Sequence, residues 1–175
     1  MDQLERIKEQ FILHWGEMGP RWGINRTMAQ VQALLFISPE PLSAEEIMNE
    51  LQISRGNVSM TLRELIDWGI VYKVHLKGER REYFTSEKDV WELFRTIARE
   101  RKKREVDPTV RLLKESVAAL QSLPDSEGQY EREQLESLLD FFETGASIYD
   151  ELQVLSPSSL LSLASYGLKL KGKNE

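Results

Sequence analysis

The stretch that decides the fold is Leu42-Ser43-Ala44-Glu45-Glu46-Ile47-Met48-Asn49-Glu50-Leu51-Gln52-Ile53-Ser54-Arg55-Gly56-Asn57-Val58-Ser59-Met60-Thr61-Leu62-Arg63-Glu64-Leu65-Ile66-Asp67-Trp68-Gly69. Ser43 with Glu46 three residues on is the pattern of a capping box, in which a hydroxyl and a carboxylate each satisfy a free backbone donor. A helix is expected from there, with Ile47 and Leu51 on its buried face. Gln52-Ile53 makes a tight turn. Ser54 offers a second N-cap, Arg55 and Gly56 open the next helix, and Gly69 suits the left-handed residue that stops it after Trp68. At roughly 100° per residue, Val58, Leu62, Leu65 and Ile66 gather on one side. They should pack on Ile47 and Leu51.

Working outward, Ile70 to Leu76 is β-branched and aromatic and reads as a half-buried strand, with Ile70, Tyr72, Val74 and Leu76 on one face and Val71, Lys73 and His75 on the other. Lys77-Gly78-Glu79-Arg80 supplies the turn, and Arg81 to Thr85 returns. Two helices, a tight turn and a basic hairpin in this order describe a winged helix-turn-helix. The expected class is mainly α with a small β-wing (α+β).

The face of the second helix left free by its apolar side carries Gly56, Asn57, Met60 and Arg63, with Arg55 and Ser59 at its borders. In this motif the N-terminal part of the second helix enters the major groove. Arginine pairs with guanine, asparagine with adenine, and Met60 suits a thymine methyl. Ser54 and Ser59 suit phosphate oxygens, which fix register without reading sequence. Gly56 has no side chain to hold the helix end off the DNA backbone. At the wing, Lys77, Arg80 and Arg81 are placed for phosphates or a narrow minor groove, and Glu79 is a candidate to hold an arginine in position. Each of these residues taken singly also fits an ordinary polar surface. The set is far more specific.

Those runs, together with Trp15-Gly16-Glu17-Met18-Gly19 and Arg21-Trp22-Gly23-Ile24-Asn25-Arg26 upstream and Trp68-Gly69 and Gly78-Glu79-Arg80-Arg81 downstream, resemble the GbsR/MarR-type transcriptional regulators. The resemblance extends from His14 to Trp91. It implies a homodimeric DNA-binding regulator, usually a repressor. In one branch it further implies genes for uptake or synthesis of osmoprotectants such as glycine betaine, with choline as the signal.

Composition sets the outer bounds. The 175 residues suit one domain, or a head with a helical extension. With no cysteine there is no disulfide, thiolate nucleophile or zinc-thiolate site, which fits a reducing cytoplasm. Charges at Asp2, Glu5, Arg6, Lys8 and Glu9 are unlike a signal peptide, and no run is apolar enough for a membrane. The net charge of −6 argues against DNA until its distribution is seen. From Ser54 to Phe84 six cations face four acids, whereas from Thr85 onward thirteen cations face seventeen acids. A weakly basic head on an acidic body should bind DNA with high salt sensitivity.

The flanks read as helices. Leu4, Ile7, Phe11 and Trp15 form the stripe of a first helix ended by Gly19-Pro20, and a second spans Arg26 to Phe36 with Val31, Leu34 and Leu35 inward. Beyond the wing, Ser86 is expected to cap a helix beginning at Glu87 that buries Val90, Trp91, Phe94 and Ile97. The charged run Arg99 to Glu105 continues it, either as a solvated face or as an extra phosphate patch. Asp107-Pro108 reads as an N-cap and N1 pair, and Val106, Val110, Leu113, Val117 and Leu120 have coiled-coil spacing that favours pairing across a dimer. Pro124 to Gly128 is a break. Leu135, Leu138, Phe142, Tyr149 and Leu152 follow on a helix that Gly145 could split, then a last amphipathic piece from Ser156-Pro157 uses Leu160, Leu161, Leu163, Leu168 and Leu170, and 171–175 is expected to fray. This divides the chain into 1–25, an N-terminal dimerisation helix; 26–85, the DNA-binding domain; and 86–175, a C-terminal dimerisation and effector region. A two-fold dimer would set its recognition helices roughly 34 Å apart and match a near-palindromic operator in double-stranded DNA.

A quaternary ammonium effector such as choline is held by aromatic faces. Trp15, Trp22, Trp91 and Phe94 flank the head and are the candidates, with hydrophobic core as the competing reading. No cofactor is implied. An enzyme is disfavoured, since His14 and His75 lack triad or metal companions and no phosphate loop occurs. The remaining contender is a winged helix used as a protein-interaction module. That role calls for an apolar groove face, where this chain has Arg55, Asn57, Ser59 and Arg63.

Overall fold

The computed structural model describes residues 2–124, 127–156, 158–159 and 162. The chain divides into two compact units, Met1–Ile97 and Ala98–Glu175. Each is described by itself.

The first unit opens with α1 (Gln3–Met18), capped by the Asp2 carboxylate, which accepts from the Leu4 N–H at 2.7 Å. A 3-10 turn (Gly19–Trp22) leads to α2 (Arg26–Ile37), capped by Asn25. Helix α2 is the hub of the core: Met28, Val31, Leu34 and Leu35 are buried, as is Gln32. The stripe expected on α1 is rotated. Ile12 and Gly16 are its buried residues, Phe11 and Trp15 are half-buried, and Leu4 and Ile7 are exposed. The reason is close approach to α2, since a Cβ at Gly16 would come within 2.5 Å of Gln30 Cγ and one at Gly19 within 2.8 Å of Ala29 Cβ.

The helix-turn-helix follows. Helix α3 (Ala44–Leu51) starts at the expected capping box: Ser43 N–H and Oγ–H donate to Glu46 Oε2 at 2.7 and 2.6 Å, and Glu46 N–H donates to Ser43 Oγ at 3.3 Å. Gln52 turns the chain with φ of 52°, and Ser54 caps α4 (Arg55–Asp67) by accepting from the Asn57 N–H. Val58, Leu62 and Leu65 are buried as expected, Ile66 is half-buried, and Thr61 joins the buried side.

At the end of α4, Gly69 (φ 71°) donates to the Ile66 carbonyl at 2.8 Å and Ile70 to that of Leu65 at 3.2 Å. This is a Schellman motif, whose hydrophobic contact joins the residue after the glycine to the helix. Ile70 therefore belongs to the helix end, and the strand β2 (Val71–Val74) is shorter than expected. Val71 is buried, while Tyr72 and Leu76 are exposed. Strand β3 (Tyr83–Ser86) pairs antiparallel with β2 in the register Val71↔Ser86 and Val74↔Tyr83. The loop thus spans 75–82 rather than the four residues Lys77 to Arg80. A short β1 (Leu42–Ser43), read in the sequence only as the approach to a helix, pairs with β3 to give the order β1-β3-β2.

Ser86 does not cap the next helix. It ends β3, and its Oγ–H donates to the Ile70 carbonyl at 3.2 Å. Asp89 takes the capping role, accepting from the N–H groups of Trp91 and Glu92 at 2.8 and 3.0 Å, so α5 (Val90–Arg101) starts later. The delay turns the helix: Leu93 is buried, Ile97 half-buried, and Val90, Trp91 and Phe94 are exposed, contrary to expectation.

In the second unit a π-turn (Lys102–Val106) leads into α6 (Asp107–Gln121). Asp107 has helical angles and its N–H donates to the Lys102 carbonyl, so Asp107-Pro108 is not a fresh start. Proline lacks the N–H for the carbonyl four residues back and crowds it. A widened turn just upstream is one way for a helix to absorb that. Helix α7 (Gln129–Gln153) runs through Gly145 unbroken. The α6 stripe packs within this chain, against α7, with Leu113 and Val117 buried. Lys114 and Glu143 bridge the two helices at 2.7 Å. On α7, Leu135, Phe142 and Tyr149 are half-buried, but Leu138 and Leu152 are exposed. The amphipathic piece expected over Leu160 to Leu170, and the tail 171–175, lie outside the described residues.

Candidate nucleic-acid interface

The spacing of α4 separates two chemistries. With Val58, Thr61, Leu62 and Leu65 committed to the core, Arg55, Ser59, Met60 and Arg63 are left exposed on the opposite side, and Asn57 is half-buried beside them. Met60 is 67% exposed, a large apolar side chain presented among cations and hydroxyls. Ser54 Oγ is engaged as the helix cap, and a Cβ at Gly56 would meet nothing within 4 Å. Packing within the protein therefore gives no reason for that position to be bare.

The wing continues this side. The Glu79 N–H donates to the Leu76 carbonyl at 3.1 Å in a turn that puts Gly78 at φ 89°. Lys77, Arg80 and Arg81 are all exposed. Glu79, the candidate partner for an arginine, forms no ion pair among the described residues; Glu45, at the start of α3, holds Arg81 at 2.9 Å. Across the hairpin Lys73 meets Glu82 at 2.9 Å. Between α4 and the wing lies a notch of about 540 Å³, lined by Arg55, Ser59 and Arg63 on one wall and Lys73, Arg81 and Glu82 on the other, with Glu45 at its edge and Leu62 and Phe84 below. Sequence reasoning missed Glu45, Lys73 and Glu82 as members of this surface. Opposite charges on the two arms of a hairpin were the available signal for the last two.

Of the aromatic candidates, Trp15 and Trp22 come together edge to face with centroids 4.8 Å apart, and Phe11 joins at 5.3 Å from Trp15. The Trp15 indole N–H donates to Gln32 Oε1 at 3.0 Å. Trp91 and Phe94 stand exposed on α5 and form no ring pair with them among the described residues.

A capped helix pair, a Schellman-terminated reading helix, a three-stranded wing and a cationic notch between them define a winged helix-turn-helix of the kind used by transcription regulators. Residues 22–82 match the model of the MarR family, and over that stretch the chain resembles MarR-type transcriptional regulators. It is similar to the HTH-type transcriptional repressor GbsR of Bacillus subtilis, at 27% identity over 158 residues, covering 89% of this chain and 87% of that protein. It is also similar to the HTH-type transcriptional repressor OpcR of the same organism, at 27% identity over 54% of this chain and 51% of that one. A crystal structure described as a transcriptional regulator shares the fold at TM-score 0.68 and 22% identity, covering 83% of this chain and 95% of that one. No helix among the described residues is long and apolar enough to cross a membrane.

Proposed function

We propose that this chain is a dimeric repressor that reads a near-palindromic operator in double-stranded DNA and controls genes for osmoprotectant transport or metabolism, acting in the cytoplasm. The observation that carries the DNA reading is the division of α4 into a core face and a face of Arg55, Asn57, Ser59, Met60 and Arg63 that shares a notch with the wing. Arg55 and Arg63 serve as base readers, Met60 as a thymine contact, and Ser54, Ser59, Lys77, Arg80 and Arg81 as phosphate or minor-groove contacts. Gly56 leaves room for the backbone. Repression is favoured by the likeness to two proteins named repressors.

Dimerisation is supported by apolar surface left exposed among the described residues. On α7, Leu138, Phe141, Ile148 and Leu152 are exposed and, with Gly145, recur at alternating intervals of three and four residues, the spacing of a helix-pairing seam. Leu4 and Ile7 are exposed on α1. On this reading 1–25 and 86–175 supply the dimer contacts, and 26–85 reads DNA. The effector is a quaternary ammonium such as choline, held at the Trp15 and Trp22 rings, with Trp91 and Phe94 recruited only if α5 shifts.

The test is fluorescence anisotropy with duplex DNA from upstream of the chain's own gene, with and without choline, for the parent and for Arg55→Ala, Arg80→Ala and Trp22→Ala. Binding that needs both arginines and weakens with choline, except in Trp22→Ala, is the expected result. Arginine-dependent binding indifferent to choline removes the effector. Binding no tighter than to random DNA in the parent removes the proposed operator.

A further inference from the structure

The notch between α4 and the wing holds a charge arrangement that the fold does not need. Arg81 Nη1 meets Glu45 Oε2 although the two are 36 residues apart, and Lys73 Nζ meets Glu82 Oε1, each at 2.9 Å. All four side chains are well exposed, between 48 and 64%. Ion pairs in that setting add little to stability because water competes for both partners. Arg55 and Arg63, on the facing wall, form no ion pair among the described residues. Two of the cations aimed at DNA are thus already occupied by carboxylates that the protein supplies itself.

We infer that Glu45 and Glu82 are resident substitutes for duplex phosphates, holding Arg81 and Lys73 in the free protein and surrendering them when a phosphate of the DNA backbone enters the notch. A phosphate oxygen and a carboxylate oxygen accept the same charge-assisted hydrogen bonds. Each exchange therefore gains only the difference between the two partners, and arbitrary polyanions are bound less tightly than the number of wing cations suggests. Base reading by Arg55 and Arg63 carries no such discount, so a larger share of the binding free energy at an operator comes from reading bases. The inference rests on the reading of α4 and the wing as the DNA interface.

The experiment titrates the full-length protein with a random-sequence duplex across a salt series, comparing the parent, Glu45→Gln, Arg81→Ala and the double variant. Glu45→Gln leaves the Ser43–Glu46 capping box in place, and a melting curve checks the fold. It is expected to tighten binding about two- to fivefold, the worth of one exposed ion pair. It should also steepen the dependence of log K on log salt by up to about 0.9, one further ion released. In the Arg81→Ala background both effects should vanish. Glu82→Gln should act likewise through Lys73. Weaker binding by Glu45→Gln overturns the inference, because Glu45 would then position Arg81 for DNA. Equal tightening with and without Arg81 also overturns it, since that reports only overall charge. Failure of the interface reading looks different: Arg55→Ala and Arg63→Ala would leave binding to the duplex from upstream of the chain's own gene unchanged.

Discussion

The Lys88 ammonium donates to the backbone carbonyl of Leu35 at 2.6 Å, and its other N–H groups reach the carbonyls of Phe36 and Ser38 at 2.9 and 2.7 Å. A cation from just past the wing thus closes the C-terminus of α2, where carbonyls lack helical donors and the helix dipole favours positive charge. Lys88→Met keeps the aliphatic stem and deletes the donors. It should lower stability by about 1–2 kcal/mol, seen as a lower urea midpoint with unchanged slope.

Gly56 sits in the first turn of α4 with open space where a Cβ would be. Gly56→Ala should raise stability by up to about 1 kcal/mol, because alanine is the better helix former. Gly56→Leu should fold normally yet lose most DNA affinity, because the bulk projects from the helix end proposed to enter the groove. Thermal melts and anisotropy on the same samples separate the two effects.

The capping box gives the head a defined acid sensitivity. The Ser43 hydroxyl and then its backbone N–H hold the Glu46 carboxyl below the usual range, against the opposing effect of burial and with Arg81 adding to the lowering. The folded value lies below the unfolded one, so this stabilisation is complete above the ordinary carboxylate pKa and is lost as pH falls through the folded value. Ser43→Ala should cost about 1 kcal/mol at neutral pH and progressively less in acid. Denaturation midpoints measured across that range check the sign.

Phe141 is 70% exposed on α7. Phe141→Glu should leave the α6–α7 hairpin folded, since Leu113 and Val117 are untouched, but convert a dimer to monomers. Sedimentation velocity alongside circular dichroism gives the answer, and an unchanged dimer would remove α7 from the interface.

What the sequence discloses depends on how local the cause is. Ser43, Ser54 and Gly69 act on the backbone within a few residues, so both helices of the reading head were legible, as was the face bearing Arg55, Met60 and Arg63. The start of β2 was not, because Ile70 is claimed by the end of α4 before the strand begins. Ser86 looked like a cap until its pairing with Val71 kept it in the sheet and passed the role to Asp89. Spacing favours pairing of α6 across a dimer, whereas its stripe packs on α7 of the same chain. The hold of Glu45 on Arg81 joins elements far apart in the chain, and no local pattern announces it.

Ile70 has its N–H committed to Leu65 of α4 and its carbonyl shared by the Ser86 hydroxyl and the Glu87 N–H. With one residue anchored on both sides, the reading helix and the root of the wing behave as the jaws of a fixed caliper whose gauge the amino-acid chain has already set. On the proposed DNA reading, a duplex seated there adjusts its own groove width and twist to that gauge. Selection among operators should accordingly include the ease with which each sequence deforms, even at base pairs no side chain touches.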